Sequence, residues 1–343
     1  MAEPELPARR GIALGALRAT LGRPPIWLAI WTCELLLAVA PALVFHQWMS
    51  SATKNRYAPG SLFANLDTVF RFDHKRALEL LDSTTGQIGA VLALLSILLG
   101  CFCAGGWLQV VLERTRGESL QRFFLGGARY FFRFLRVFLF TAVALSLVTW
   151  TVYGMPWKQI VLEWAMGVPP SDFERLETLA SERTVHALRM TQSLLYFASF
   201  GLVLTWGDFT RTRIALHDTS SAVWAGLCSM FTLICHPLRT LRPMLALFAV
   251  ELLLLGVTSY FARSVEARIA SEPSLAGVGL LLALGVLALG WRVVLRGARY
   301  HAAVATSRAV VRPISRPDPW KESFGPPDGP RYPLGGDEYG MSM

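Results

Sequence analysis

Residues 87–110 read QIGAVLALLSILLGCFCAGGWLQV, twenty-four positions without one charged side chain. At about 1.5 Å per residue a helix of this length covers about 36 Å, more than the ~30 Å of bilayer hydrocarbon. The run of Leu, Ala and Val does not alternate, as a barrel strand would. A lipid-facing segment must satisfy its own backbone hydrogen bonds, which leaves a helix. Five further stretches have the same character, at 26–46, 137–153, 190–207, 243–262 and 275–295. The sequence therefore predicts an all-α fold, a six-helix transmembrane bundle occupying 1–311.

Composition agrees. Of 343 residues, 53% are hydrophobic and 17% charged, against norms of about 45–50% and 25% for soluble domains. Mean hydropathy is +0.42. A disordered chain, a disulfide-stapled mini-domain and an ordinary soluble enzyme are disfavoured. The first run reads as a span and not as a cleaved signal peptide, because it stays apolar past Ala38-Val39-Ala40 and Pro41 follows that triplet. The tail, 312–343, holds seven prolines and five glycines. Such composition buries no core and reads as disordered, with a protein partner docking there as one reading.

Net charge is +9. The charges fall between the apolar stretches, which argues against a nucleic-acid partner. Of 33 Lys and Arg, 22 lie in 1–25, 113–136, 208–242 and 292–343. The positive-inside rule makes that side cytoplasmic, with both termini there. A bacterial inner membrane is the expected location. Trp27, Trp107, Trp206 and Trp291 fall near the inner ends of spans, and Trp48, Trp150 and Trp157 near the outer ends, as interfacial belts do.

Every second span ends alike: Gly106-Trp107, Thr205-Trp206 and Gly290-Trp291 each lead into an arginine. Amphipathic segments at 11–23, 119–136 and 220–242 precede the other three spans. Two of these end at Arg23-Pro24 and Arg242-Pro243, where proline suits a first helical turn. This describes three hairpin-like repeats, each an inner amphipathic helix, a span out, an outer loop and a span back. In the middle segment Arg122, Arg129 and Arg133 share one helical face, as candidates for membrane-lipid headgroups.

The outer loop 47–86 places Leu62, Phe63, Leu66, Val69 and Phe70 on one helical face, and Ser171-Asp172-Phe173-Glu174 is a capping box leading into a helix through 188. Nucleotide loops, nucleophile elbows and zinc-protease motifs are absent from the sequence. Cys228, Cys235 and His236 share a face but fall short of a metal's usual ligand count. Asp67, Asp73 and His74 share the outer loop as a hydrolytic cluster or a solvated surface. No cofactor and no catalytic residue are expected.

Two acids interrupt apolar runs: Glu34 in Cys33-Glu34-Leu35 and Glu251 in Val250-Glu251-Leu252. Each lies eight residues into its span, about 12 Å deep. A charge at mid-membrane costs about 2.5–3.5 kcal/mol. Burial favours the neutral acid, so at least one is expected protonated and facing the interior. They read as a proton or cation site, or as a clasp between the first and fifth spans bonded to backbone or to hydroxyls such as Thr32 or Ser96.

The stretches 106–140, with Gly126-Gly127-Ala128-Arg129-Tyr130-Phe131-Phe132, and 207–247, with Asp208-Phe209-Thr210-Arg211-Thr212-Arg213, resemble one family. They are similar to bacterial polytopic membrane proteins of the type found as the membrane domain beside some glycerophosphodiester phosphodiesterases. The resemblance covers most of 10–311 and implies six helices. The phosphodiesterase domain of those fusions has no counterpart here, so no hydrolase activity is implied. The expected function is a non-enzymatic protein that organises the membrane or binds lipid or partners. The alternatives are a small-solute or proton-coupled carrier using Glu34 and Glu251, and a lipid-active enzyme.

Overall fold

The computed structural model describes residues 11–53, 75–113, 119–169, 181–271 and 274–310. Among them there is no strand, and six helices are long and apolar enough to cross a membrane. The outer-loop residues 62–70, Asp67, Asp73, His74, the 171–174 capping box and the 312–343 tail lie outside the described residues.

The first helix among the described residues is short, α1 (Ile12–Leu21), and is followed by a turn at Gly22. The spanning helix α2 (Pro24–Thr53) starts on the proline itself, whose fixed φ and missing N–H suit a first turn. It is followed by α3 (Lys75–Glu113) and α4 (Ser119–Tyr153). A helical turn, Met155–Trp157, runs into a π-helical stretch, Lys158–Ala165. Then come α5 (Glu182–His217), α6 (Ala222–Cys235), α7 (Pro237–Ser271) and α8 (Leu275–Val310).

Helix boundaries follow local chemistry. Ser181 caps α5, its hydroxyl accepting from the Thr184 N–H at 3.3 Å, and Glu182 suits the positive end of the helix. Of the helix expected through 175–188, residues 182–188 belong to the spanning helix, and 175–180 lie outside the described residues. Ser221 caps α6 in the same way, accepting from Trp224 N–H.

The amphipathic segments depart from expectation in two copies. The middle one is not separate: α4 runs unbroken from Ser119 to Tyr153, because no proline interrupts it near Arg136. The third segment breaks at His236-Pro237 and not at Arg242-Pro243. His236 sits outside helical geometry at φ −132°, as a residue before proline tends to. Pro243 lies inside α7.

The returning helices α3, α5 and α8 are in mutual contact at the centre. The amphipathic elements close a ring around them: α4 packs on α3, α6 on α5, and α1 on α8. The first segment of the chain thus completes the last hairpin, so the three repeats form a cyclic arrangement. Buried residues concentrate at the end of the bundle where α1 and the start of α2 pack. One cluster joins Ile26, Trp107, Phe123, Tyr130, Ile214 and Val293; another joins Ala16, Phe209, Met244, Leu247, Leu295 and Ala298. Farther along the spans Leu36, Leu194, Leu252 and Leu282 are exposed, as residues facing lipid should be. Trp107, read from sequence as an interfacial anchor, is instead fully buried.

Candidate functional site

The polar centre is built where α8 outruns the apolar stretch that sequence assigned to it. At 36 residues this helix is about 54 Å long. Its continuation past 295 brings Arg296 and Arg299 to the acids of other helices. Arg296 donates to the Glu34 carboxylate of α2 at 3.2 Å. Arg299 donates to the Glu251 carboxylate of α7 at 2.9 Å and lies 3.7 Å from Asp208 of α5. Its guanidinium also lies over the Phe248 ring, 4.8 Å from the centroid. Asp208 accepts in turn from Arg211, one turn on, at 3.1 Å.

Three arginines and three carboxylates thus balance in charge and tie α2, α5, α7 and α8 together. Tyr300, buried on α8, lies close enough to Arg211, Asp208, Arg296 and Arg299 to feel their charges. Glu34 and Glu251 both take arginine partners on α8, whereas hydrogen bonds to backbone or hydroxyls were expected. Thr32, expected as one such partner, donates to the Leu28 carbonyl on its own helix. The space beside Glu251, bounded by Leu254, Thr258, Trp291 and Arg292, is about 10 Å³, at the lower limit for a single water.

A second polar clasp joins α3 to α4. Arg122 donates to Glu113 at 2.8 Å, and the same carboxylate accepts from Gln109. Arg122 is therefore turned toward α3. Arg129 and Arg133 are brought together on a different acid, Asp218, at 3.0 and 2.6 Å. Asp218 ends α5 in the left-handed region at φ 49°, which aims it across at α4. The three arginines of the predicted face thus serve two separate contacts.

Arg23, in the turn before α2, donates to the Val110 carbonyl at the end of α3 at 3.1 Å. Burial lowers its pKa from the ordinary arginine value. Among the described residues no group of three or more His, Cys, Asp or Glu is placed to hold a metal ion.

Sequence reasoning found Glu34 and Glu251 but missed Asp208, Arg211, Arg296 and Arg299. The available signal was spacing: Arg292, Arg296 and Arg299 recur every three to four residues, one helical face, with no helix breaker before them.

The six long apolar helices and the charge-balanced centre between them define a multi-pass integral membrane protein. Compared with known proteins, the chain matches no family model, no curated protein and no solved structure.

Proposed function

We propose that this chain is a non-enzymatic protein of the bacterial inner membrane that organises lipid and protein partners, with both termini cytoplasmic. The observation that carries the reading is the pairing of both intramembrane carboxylates with arginines of α8. A charge already neutralised by a fixed partner serves packing, and leaving one member unpaired is strongly destabilising. The amphipathic elements α1, α6 and the first half of α4 offer the lipid-facing inner surface.

The competing reading is a carrier, favoured by one observation: the Arg296 and Glu34 side chains retain 28% and 19% exposure, so that pair is not sealed. Glu34→Gln and Glu251→Gln separate the two. If the acids are structural, both variants lower the unfolding midpoint in detergent, Glu251→Gln more, because its pair is the more buried. If they carry protons, the double variant keeps the midpoint while proton flux in reconstituted vesicles disappears.

Sidedness is checked by single cysteines at Ser51 and Ser342 in a chain freed of its own five. A membrane-impermeant maleimide on intact cells should label the first and miss the second.

A further inference from the structure

We infer that the cleft between α4, α5 and α6 is a binding site for one acyl chain of an anionic phospholipid, with its headgroup held by Arg133 and Arg136. The cleft has a volume of about 160 Å³ and is lined by Val137, Phe140, Trp206, Val223 and Leu227, with Gly226 at its wall. The cleft is open on one side, so a hydrocarbon chain enters it from the surrounding bilayer without passing through the protein. The polar groups around it are already occupied. Thr141 donates to the Phe138 carbonyl, Thr210 to the Trp206 carbonyl, and the Trp206 indole to the Gly226 carbonyl at 2.8 Å. What remains facing the cleft is hydrocarbon, which suits a lipid tail.

The choice of headgroup rests on charge. Residues three and four apart on a helix share a face. Arg133 stands one turn before Val137, and Arg136 one turn before Phe140, so both lie at the cleft's inner end. Among the described residues Arg129 and Arg133 share one acid, Asp218, and Arg136 adds a further positive charge one turn on. Arg136 is exposed. The excess of positive charge sits where α4 passes from its arginine-bearing half to its apolar half, which is headgroup depth for a tail lying along Val137 and Phe140. Zwitterionic lipid gains nothing from that excess, and anionic lipid does.

This deepens the lipid-interacting reading proposed above, and its test is independent of the flux and stability measurements there. The purified full chain, delipidated in a neutral detergent, is titrated with dioleoylphosphatidylglycerol or dioleoylphosphatidylcholine and the bound lipids are counted by native mass spectrometry. Phosphatidylglycerol should bind more tightly. Arg136→Gln should cut that preference about fivefold, the contribution of one basic residue near an anionic headgroup. Asp218→Asn should raise it, since asparagine tolerates the left-handed backbone at 218 while freeing Arg129 and Arg133. Val223→Trp, which fills the cleft, should remove one bound lipid of either kind. Equal binding of the two lipids by the unaltered chain overturns the site. So does a preference that neither Arg136→Gln nor Asp218→Asn moves, or a bound lipid that survives Val223→Trp.

Discussion

Replacing Arg299 with leucine is expected to lower the stability of the protein by about 3–5 kcal/mol, the usual effect of breaking a buried ion pair from one side. Arg299 is the only one of the three central arginines that meets two acids, and it also covers Phe248. The Arg299, Asp208 and Glu251 side chains are 13%, 8% and 15% exposed, so water cannot take over the lost contacts. Both carboxylates would lose this arginine, although Asp208 keeps Arg211. Adding Glu251→Gln to Arg299→Leu should recover much of the loss, since Asp208 keeps Arg211 and no unpaired charge then stays buried. Denaturant titration of the detergent-solubilised chain measures both steps. An Arg299→Leu protein as stable as the parent would show that the cluster bears no weight in the fold.

Alanine at Gly126 is expected to be nearly as damaging, by a different route. Its Cβ would come within 2.3 Å of the Gln109 Cβ and 2.8 Å of the Gly105 carbonyl oxygen. Alanine at Gly105 would meet the Gly126 carbonyl oxygen at 2.6 Å. These obstacles are backbone atoms and a Cβ, which no rotamer change removes, so α3 and α4 must separate. Overpacking of this kind costs about 1–3 kcal/mol. Here it also pulls Glu113 from Arg122, so the loss should reach the top of that range. Because both glycines line one gap, the double substitution should lose less than the sum of the two. Gly89 and Gly279 have no neighbour within 4 Å of a Cβ, and alanine there should leave the unfolding midpoint unchanged.

The spans were legible because lipid allows one solution, an uninterrupted apolar helix. Each of the six stretches read from sequence falls within a long helix of the structure. What sequence blurred were the positions where a proline either starts a helix or sits inside one. Pro24 starts α2, while Pro243 lies inside α7 and the break falls at Pro237. The residue before each of Pro24 and Pro243 is arginine, so local pattern alone made them look equivalent. The site was half legible. A carboxylate inside an apolar run is visible, and Glu34 and Glu251 stood out. Their partners did not, because an arginine just beyond an apolar run reads as an interfacial anchor. Arg296 and Arg299 were accordingly counted among the charges that set sidedness. Only the geometry of α8, running on without a break to Val310, shows that they reach the acids. Trp107 was misread for a related reason: a tryptophan near a span's end marks an interface only where the helix faces lipid, and α3 there faces α8.

The pairing of Glu34 with Arg296 also sets a timetable for biosynthesis. The two lie 262 residues apart in the chain, so a ribosome adding about 5–20 residues per second separates them by roughly 13–52 s. Glu251 waits for Arg299 across only 48 residues, roughly 2–10 s at the same pace. The first hairpin must therefore persist in the bilayer, its acid unmatched, until α8 emerges, and α8 is the helix against which α1, α2, α3, α5 and α7 then settle.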